Sequence, residues 1–413
     1  MCTITIILLL FCFSASCTGQ RKTTFDIESN YTNNNIDLAT GFENIQTVRL
    51  SEIADSVTFV PFETTPQSLM GEGQRSIRFS IPYIFYFEKY FDWTGKYGGS
   101  IIKKGQGPYE EVDGGSLLYK DNHFYSKGSK FIEYDMSGKP TGKVRNLYAA
   151  REVGTNDFLR QGTAFSVVGE YFIVYDYPAT IYFIDRNFET VSSIEVFKTD
   201  SSNIMSISER QPVTFYQDKV LFYNFINDTI FHVTDSGLEP RWIVDFNHPL
   251  RLPAQIMLEY WRLAADLRVV LRNSNYIENT ELIKSIDHKH VVRAAFETES
   301  HVFFLMKELI PFAEPRAKED TEPYIIYFDK FNGKTTRVKG KGFVDDILGM
   351  DFFYPVLGIF DEKMINYIWP HELFAYIDEC KEKGRDVNAQ LLALSKKVDI
   401  EDNPILILVH LKK

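Results

Sequence analysis

Few stretches of this chain combine residue types and spacing that could do chemistry. Among eight histidines, only His288-Lys289-His290 has a metal-ligand spacing, because positions i and i+2 of a strand share a face and can meet one ion. No second ligand pair lies nearby in sequence, and no His-Glu-x-x-His helix or calcium-loop pattern occurs, so the tripeptide reads as a polar loop and no metal is assigned. Gly105-Gln106-Gly107-Pro108 has the glycines of a phosphate cradle but not its Gly-Lys-Ser/Thr end, and Pro108 removes a cradle N–H; it reads as a tight turn. Asp345-Asp346, Asp361-Glu362 and Glu110-Glu111 are adjacent carboxylates, which point to opposite faces of a strand and rarely act on one substrate. No Gly-x-Ser-x-Gly nucleophile elbow is present. The remaining patch runs from Arg251 to Arg262, where Arg251, Tyr260 and Trp261 could face a ligand through charge and stacking. Trp93, Trp242 and Trp369 read as packing residues between layers.

The elements that must position these groups are short strands. Runs such as Tyr171–Tyr175, Ile181–Ile184, Val220–Phe225, Val302–Met306 and Tyr324–Phe328 are rich in Ile, Val, Phe and Tyr and bounded by Gly, Asp and Asn. They recur as a unit: an apolar strand, an Asp, two or three turn residues, and a returning strand. Asp92, Asp135, Asp185, Asp235 and Asp329 mark it, with steps of 43, 50, 50 and 94 residues. In such a turn the Asp carboxylate accepts backbone N–H groups, and Gly or Asn takes the positive-φ position. A hairpin repeat of about 40 to 50 residues is the mark of a β-propeller. The fold class expected is all-β, a six-bladed β-propeller with helical insertions near residues 253–272 and 370–397. In the second insertion Pro370 and Glu372 open a helix, Leu373, Phe374, Ile377 and Cys380 form its apolar face, and Gly384 stops it. Ring closure then predicts that the last strand, Pro404–Leu411, shares a blade with one from about residues 47–63.

The net charge of −11 and the lack of a Lys/Arg block exclude a nucleic-acid backbone as partner. Ile4–Phe13 is an apolar run too short to span a bilayer and fits the core of a secretory signal. It ends in Ser14-Ala15-Ser16-Cys17, which is similar to a bacterial lipobox. The expected organisation is a signal peptide over 1–16, a tether over 17–45 carrying lipid on Cys17, and a propeller over 46–413. Cys2 and Cys12 leave with the signal, so Cys380 has no internal disulfide partner and reads as a packed thiol.

The segment Leu50–Thr64 (Leu-Ser-Glu-Ile-Ala-Asp-Ser-Val-Thr-Phe-Val-Pro-Phe-Glu-Thr), the stretch Lys104-Gly105-Gln106-Gly107-Pro108-Tyr109-Glu110 and the closing Glu401-Asp402-Asn403-Pro404-Ile405-Leu406 resemble a six-bladed propeller lipoprotein family of gut anaerobic bacteria, related to NHL-type propellers. Tyr109 stands where that family usually has Gly. The resemblance implies a fold and a compartment, the outer membrane of the cell envelope, but no catalytic residues and no cofactor. Arg21 and Lys22 after Cys17 favour a periplasm-facing anchor over a surface one. The function expected is a binding or scaffold propeller for a glycan, a peptide or an envelope protein. The alternative is a propeller enzyme, a metal-assisted lactonase-like hydrolase or a lyase, with its site at the central channel. Asp55-Ser56-Val57 and Asp228-Thr229-Ile230 match a short O-glycosylation pattern and read as unmodified strand ends.

Overall fold

The computed structural model describes residues 22–24, 34–71, 77–111, 115–146, 164–176, 180–196, 213–224, 228–253, 256, 288–308 and 323–413. The strands form six antiparallel sheets of four, each a blade of a six-bladed β-propeller. Blade 1 contains Ile77–Ser80, Tyr83–Tyr86, Lys89–Asp92 and Tyr97–Ser100. Blade 2 contains Ser116–Lys120, His123–Lys127, Lys130–Tyr134 and Pro140–Asn146. Blade 3 runs from Ala164–Val168 to Thr190–Glu195, blade 4 from Val213–Tyr216 to Gly237–Asp245, and blade 5 from His290–Glu297 to Lys334–Val338. Blade 6 is made from both ends of the chain: Gly358–Phe360, Lys363–Ile368, Ile405–Leu411 and Ala54–Pro61.

A ring, not a row, follows from where the apolar side chains go. Among the described residues six buried clusters form, one between each pair of neighbouring blades. Phe85, Phe124 and Tyr134 join blades 1 and 2; Phe131, Phe172 and Phe188 join 2 and 3; Phe183, Phe222 and Phe231 join 3 and 4. Phe304 and Ile326 pack on Leu221 and Ile230 between 4 and 5, Phe303 packs with Val409 between 5 and 6, and Ile84 with Leu408 between 6 and 1. A strand buried on both faces explains runs with little polar alternation. The ring closes as expected: Ile405 pairs with Pro61 and His410 with Ser56 in antiparallel register.

The turn chemistry of the repeat holds in four blades. Asp135 accepts the amides of Ser137 (2.8 Å) and Lys139 (3.0 Å), and Gly138 takes φ 77°. The Ser137 hydroxyl, then these amides, hold the Asp135 carboxyl below its ordinary value. Asp92, Asp185 and Asp329 accept equivalent bonds. Blade 3 departs in one respect: Phe188, not Gly or Asn, adopts φ 64° there, and its ring is buried between blades. In blade 4 the turn shortens to Asp235-Ser236, and the Thr234 hydroxyl bonds the Gly237 carbonyl (3.1 Å). The 94-residue step is one period plus insertions, since blades 4 and 5 are consecutive. Blade 6 has no such Asp because its third and fourth strands come from opposite ends of the chain.

The N-terminal region departs from the tether expected over 17–45. Lys22–Thr24, Asn35–Asp37 and Ile45–Gln46 add parallel fifth strands to the outer edges of blades 3, 4 and 5. A short helix, Leu38–Glu43, is capped by Asp37, whose carboxylate accepts the Thr40 amide at 2.9 Å. Ile36, Leu38 and Phe42 are buried between blades 4 and 5. Residues 35–46 are therefore part of the packed wheel, because three apolar side chains in a polar stretch find a cleft.

The insertion at 370–397 forms as expected, as helices Pro370–Glu382 and Ala389–Ser395. Glu372 accepts the Trp369 amide (2.9 Å), and Gly384 (φ 63°) follows the end. Leu373 and Ile377 pack with Leu391 and Leu394 beside blade 6, and Cys380 is buried on the same helix. The insertion expected near 253–272 lies outside the described residues, apart from residues 253 and 256. No helix among the described residues is long and apolar enough to cross a membrane.

Candidate ligand-binding channel

The first strand of every blade contributes to one axial cavity of about 300 Å³. Phe79 and Arg78 come from blade 1, Leu117 and Tyr119 from blade 2, and Phe165 and Ser166 from blade 3. Thr214 and Phe215 come from blade 4, Phe296 from blade 5, and Ile359 and Phe360 from blade 6. That volume is at the small end of ligand sites. It equals about ten waters at roughly 30 Å³ each.

Three rings meet at one end of these strands. Phe360 lies 5.9 Å from Phe79 and 5.9 Å from Phe215, and Trp93 stacks behind at 5.8 Å from Phe360 and 5.7 Å from Phe79. The indole N–H of Trp93 is buried without a partner. Such offset aromatic contacts make a rigid apolar floor.

Arg78 is the charged group among the described lining residues. It alternates with Ile77 and Phe79, which pack between blades 6 and 1, so Arg78 and Ser80 share the other face of their strand. The guanidinium is solvent-accessible along the cavity yet enclosed by protein, and desolvation lowers its pKa. No described residue gives it a hydrogen bond or an ion pair. The guanidinium remains a cation at any physiological pH. Ser166 lines the same cavity, and its buried hydroxyl has no partner. The Thr214 hydroxyl is engaged, donating to the Ala295 carbonyl at 2.9 Å. The described lining carries no Asp, Glu, Asn or His. The described lining offers apolar walls, the Arg78 guanidinium and the unpartnered Ser166 hydroxyl.

The residues singled out from sequence lie elsewhere. The Arg251 guanidinium pairs with the Asp228 carboxylate and covers the Phe246 ring at 5.8 Å. Tyr260, Trp261 and Cys17 lie outside the described residues. His288 and His290 do not share a strand face. His288 has φ 54° and is exposed beside Glu308 (2.5 Å), whereas His290 is buried against the Tyr324 hydroxyl (2.9 Å). Among the described residues no three His, Cys, Asp or Glu converge on a metal position. Gly105–Pro108 is the expected tight turn: the Gly107 amide donates to Glu110 (2.9 Å) and the Gly105 amide to the Glu111 carbonyl (3.0 Å). Thr229 is buried in blade 4, while Ser56 is exposed at the rim of blade 6.

One charged cluster went unnoticed in the sequence. The Glu297 carboxylate is fully buried and accepts from Arg241 (2.8 Å) and Lys330 (2.7 Å). Burial alone would raise the Glu297 pKa, but these two partners outweigh it and hold it low. Lys330 is nonetheless pulled down, since its desolvation exceeds the gain from the pair. The cluster ties blade 4 to blade 5 and does not reach the cavity lining.

A protein from Bacteroides fragilis, described as a "putative exported protein", has a crystal structure similar to this chain. The TM-score is 0.63 at 16% identity, over 92% of this chain and 99% of that one. That likeness shows the fold. BamB from Moraxella catarrhalis is more distant, with a TM-score of 0.30 and 14% identity over 68% of this chain and 66% of that one. No curated protein matches the sequence. Residues 33–410 match the family described as "Domain of unknown function (DUF4934)".

Proposed function

The chain belongs to the DUF4934 family, and from that premise we propose that it is a binding propeller of the bacterial cell envelope. Its ligand enters the axial cavity, and it performs no chemistry on that ligand. The observation that carries this reading is the cavity itself, walled by the first strands of all six blades, with Arg78 as its described charge. A propeller hydrolase or lyase gathers several carboxylates, amides or imidazoles at such a point.

In this reading the chain is one of the NHL-like lipoprotein propellers of gut anaerobes, exported and held in the outer membrane by lipid on Cys17. A short anchor is supported by the strand Lys22–Thr24, which already pairs with blade 3. Five residues at roughly 3.3–3.6 Å each span at most about 18 Å. Blade 3 would then stand edge-on to the membrane.

Thermal-shift measurements on the full chain test the binding reading, first with Ca²⁺ and Zn²⁺, then with a panel of sugars, peptides and small acids. Stabilisation by a small molecule that is recovered unchanged is the expected result. Metal-dependent stabilisation accompanied by turnover of a lactone would sink it. Metabolic labelling with a radioactive fatty acid tests the anchor, which Cys17→Ala should abolish.

A further inference from the structure

We propose that the axial cavity is a site for a small organic monocarboxylate with an aromatic or short aliphatic body, its carboxylate held by Arg78 and its body against the Phe79–Phe215–Phe360 floor. This rests on the binding reading above and narrows it to one class of ligand.

The first observation is an unspent charge. The Arg78 guanidinium is exposed to the cavity, and donors that meet only solvent there are free to take an anion. Arg78 has no partner among the described residues, and the described lining holds no acid. Every other guanidinium or ammonium discussed above is matched: Arg251 by Asp228, and Arg241 and Lys330 by Glu297. Among the described residues Arg78 therefore lacks an anion of the kind that Arg251, Arg241 and Lys330 have, and the adjoining space of about 300 Å³ has room for one.

Charge count selects the anion. One guanidinium compensates one negative charge, and its planar fork matches the two oxygens of a carboxylate. A phosphate dianion would leave one negative charge without a counter-charge on the described lining. Wall composition selects the body. Phe79, Phe165, Phe215, Phe296 and Phe360 together with Ile359 offer little to a sugar's hydroxyls and much to a ring or a short chain. Ser80, on the same strand face as Arg78, and the unpartnered Ser166 hydroxyl supply further donors on adjacent walls. The volume admits a ligand of the size of a benzoate or hexanoate.

Isothermal titration of the full chain with phenylacetate, benzoate and hexanoate tests this, against phenylacetamide, benzyl alcohol, phenyl phosphate and inorganic phosphate. The carboxylates are expected to bind roughly tenfold or more tighter than the neutral isosteres, the ratio that charge-assisted hydrogen bonds support. Arg78→Gln should erase that preference, and Arg78→Lys should keep part of it. A second readout separates a ligand residue from a structural one. Arg78→Met should leave the melting temperature of the ligand-free protein nearly unchanged, because an exposed side chain without a described partner carries no fold contact. A fall in melting temperature would show that Arg78 is paired in the fold and overturn the proposal. Equal affinity for acid and amide would also overturn it while leaving a binding propeller intact. Preference for phenyl phosphate would reassign the anion. Failure of every probe to bind would end the monocarboxylate proposal, and the broader panel above would then decide the binding reading separately.

Discussion

Acid should loosen the seam between blades 4 and 5 through His290. This imidazole is buried, with the Tyr324 hydroxyl 2.9 Å away and the Phe42 ring edge-on at 5.4 Å. Desolvation lowers its pKa from 6.5 to about 4; Glu308 pulls upward, and Arg337, His248 and His288 push further down. The folded-state pKa is depressed, so the unfolded chain binds the proton first. The stability that His290 contributes is whole above pH 6.5 and drains as pH falls towards 4. A gap of about 2.5 units at 1.36 kcal/mol each is roughly 3 kcal/mol. Asp228, nearby in blade 4, tilts the other way. Burial raises its pKa to about 7 against the pull of Arg251, so its contribution is present at low pH and lost as pH rises through 7. The informative quantity is therefore a difference. Urea unfolding of wild type and His290→Gln, from pH 7.5 to 4, should show the variant losing about 3 kcal/mol less stability over that range. Gln can still bond Tyr324 but does not titrate. Parallel curves would refute the reasoning, because they would mean His290 protonates as easily in the fold as outside it.

Three further outcomes follow from the packing. Glu297→Ala strands Lys330 and Arg241 without their shared carboxylate, and urea unfolding should show a loss of about 3 kcal/mol or more; Glu297→Gln should recover part of it. Leu38→Ala, in the segment that reads as tether from sequence, should cost about 2–5 kcal/mol, since Leu38 is fully buried; no change would mean that the segment does not hold to the wheel in solution. Leu408→Ala, in the strand that closes the ring and packs blade 6 on blade 1, should cost a similar 2–5 kcal/mol or so. It should also do so in one cooperative transition, and an early partial transition in calorimetry would show that closure is separable from the rest.

The legible parts of this fold are those where local chemistry repeats. The Asp-led turns at 92, 135, 185 and 329 announce themselves because each carboxylate bonds amides two to four residues away. Closure by 405–411 was legible because a ring of hairpins leaves its two terminal strands each needing a partner. The strap over 35–46 was not. Its strands are two or three residues long and depend on edges 200 to 300 residues away. The one local hint was the spacing of Ile36, Leu38 and Phe42 among Asn and Asp. Arg78 was missed for a related reason. Ile77-Arg78-Phe79-Ser80 has the alternation of any half-exposed strand, and nothing local says that this strand lines the axis of the wheel. In a propeller the axis is lined by the first strand of each blade, so a charge in such a strand is the signal to seek.

The outer rim shows why the strap takes the path it does. A blade ends in an edge strand with unpaired N–H and C=O groups, which invite pairing with another chain. Lys22–Thr24 covers the edge of blade 3, the strap those of blades 4 and 5, and the strand Ala54–Pro61 becomes the outermost strand of blade 6. Blades 1 and 2 receive no fifth strand among the described residues, and their edges carry a different defence. Tyr97–Ser100 is four residues long, with Gly98 and Gly99 at its centre. Pro140–Asn146 starts on a proline and presents Lys143 and Arg145, which pair with Glu133 (3.2 Å) and Glu189 (3.4 Å). Short, glycine-rich, proline-led and charged edges all resist strand addition. Of the covered blades, blade 4 has the longest outer strand, Gly237–Asp245, with Trp242 and Ile243. Stability gathered at the rim and between the blades does not call on Arg78, which lines the cavity without a partner among the described residues.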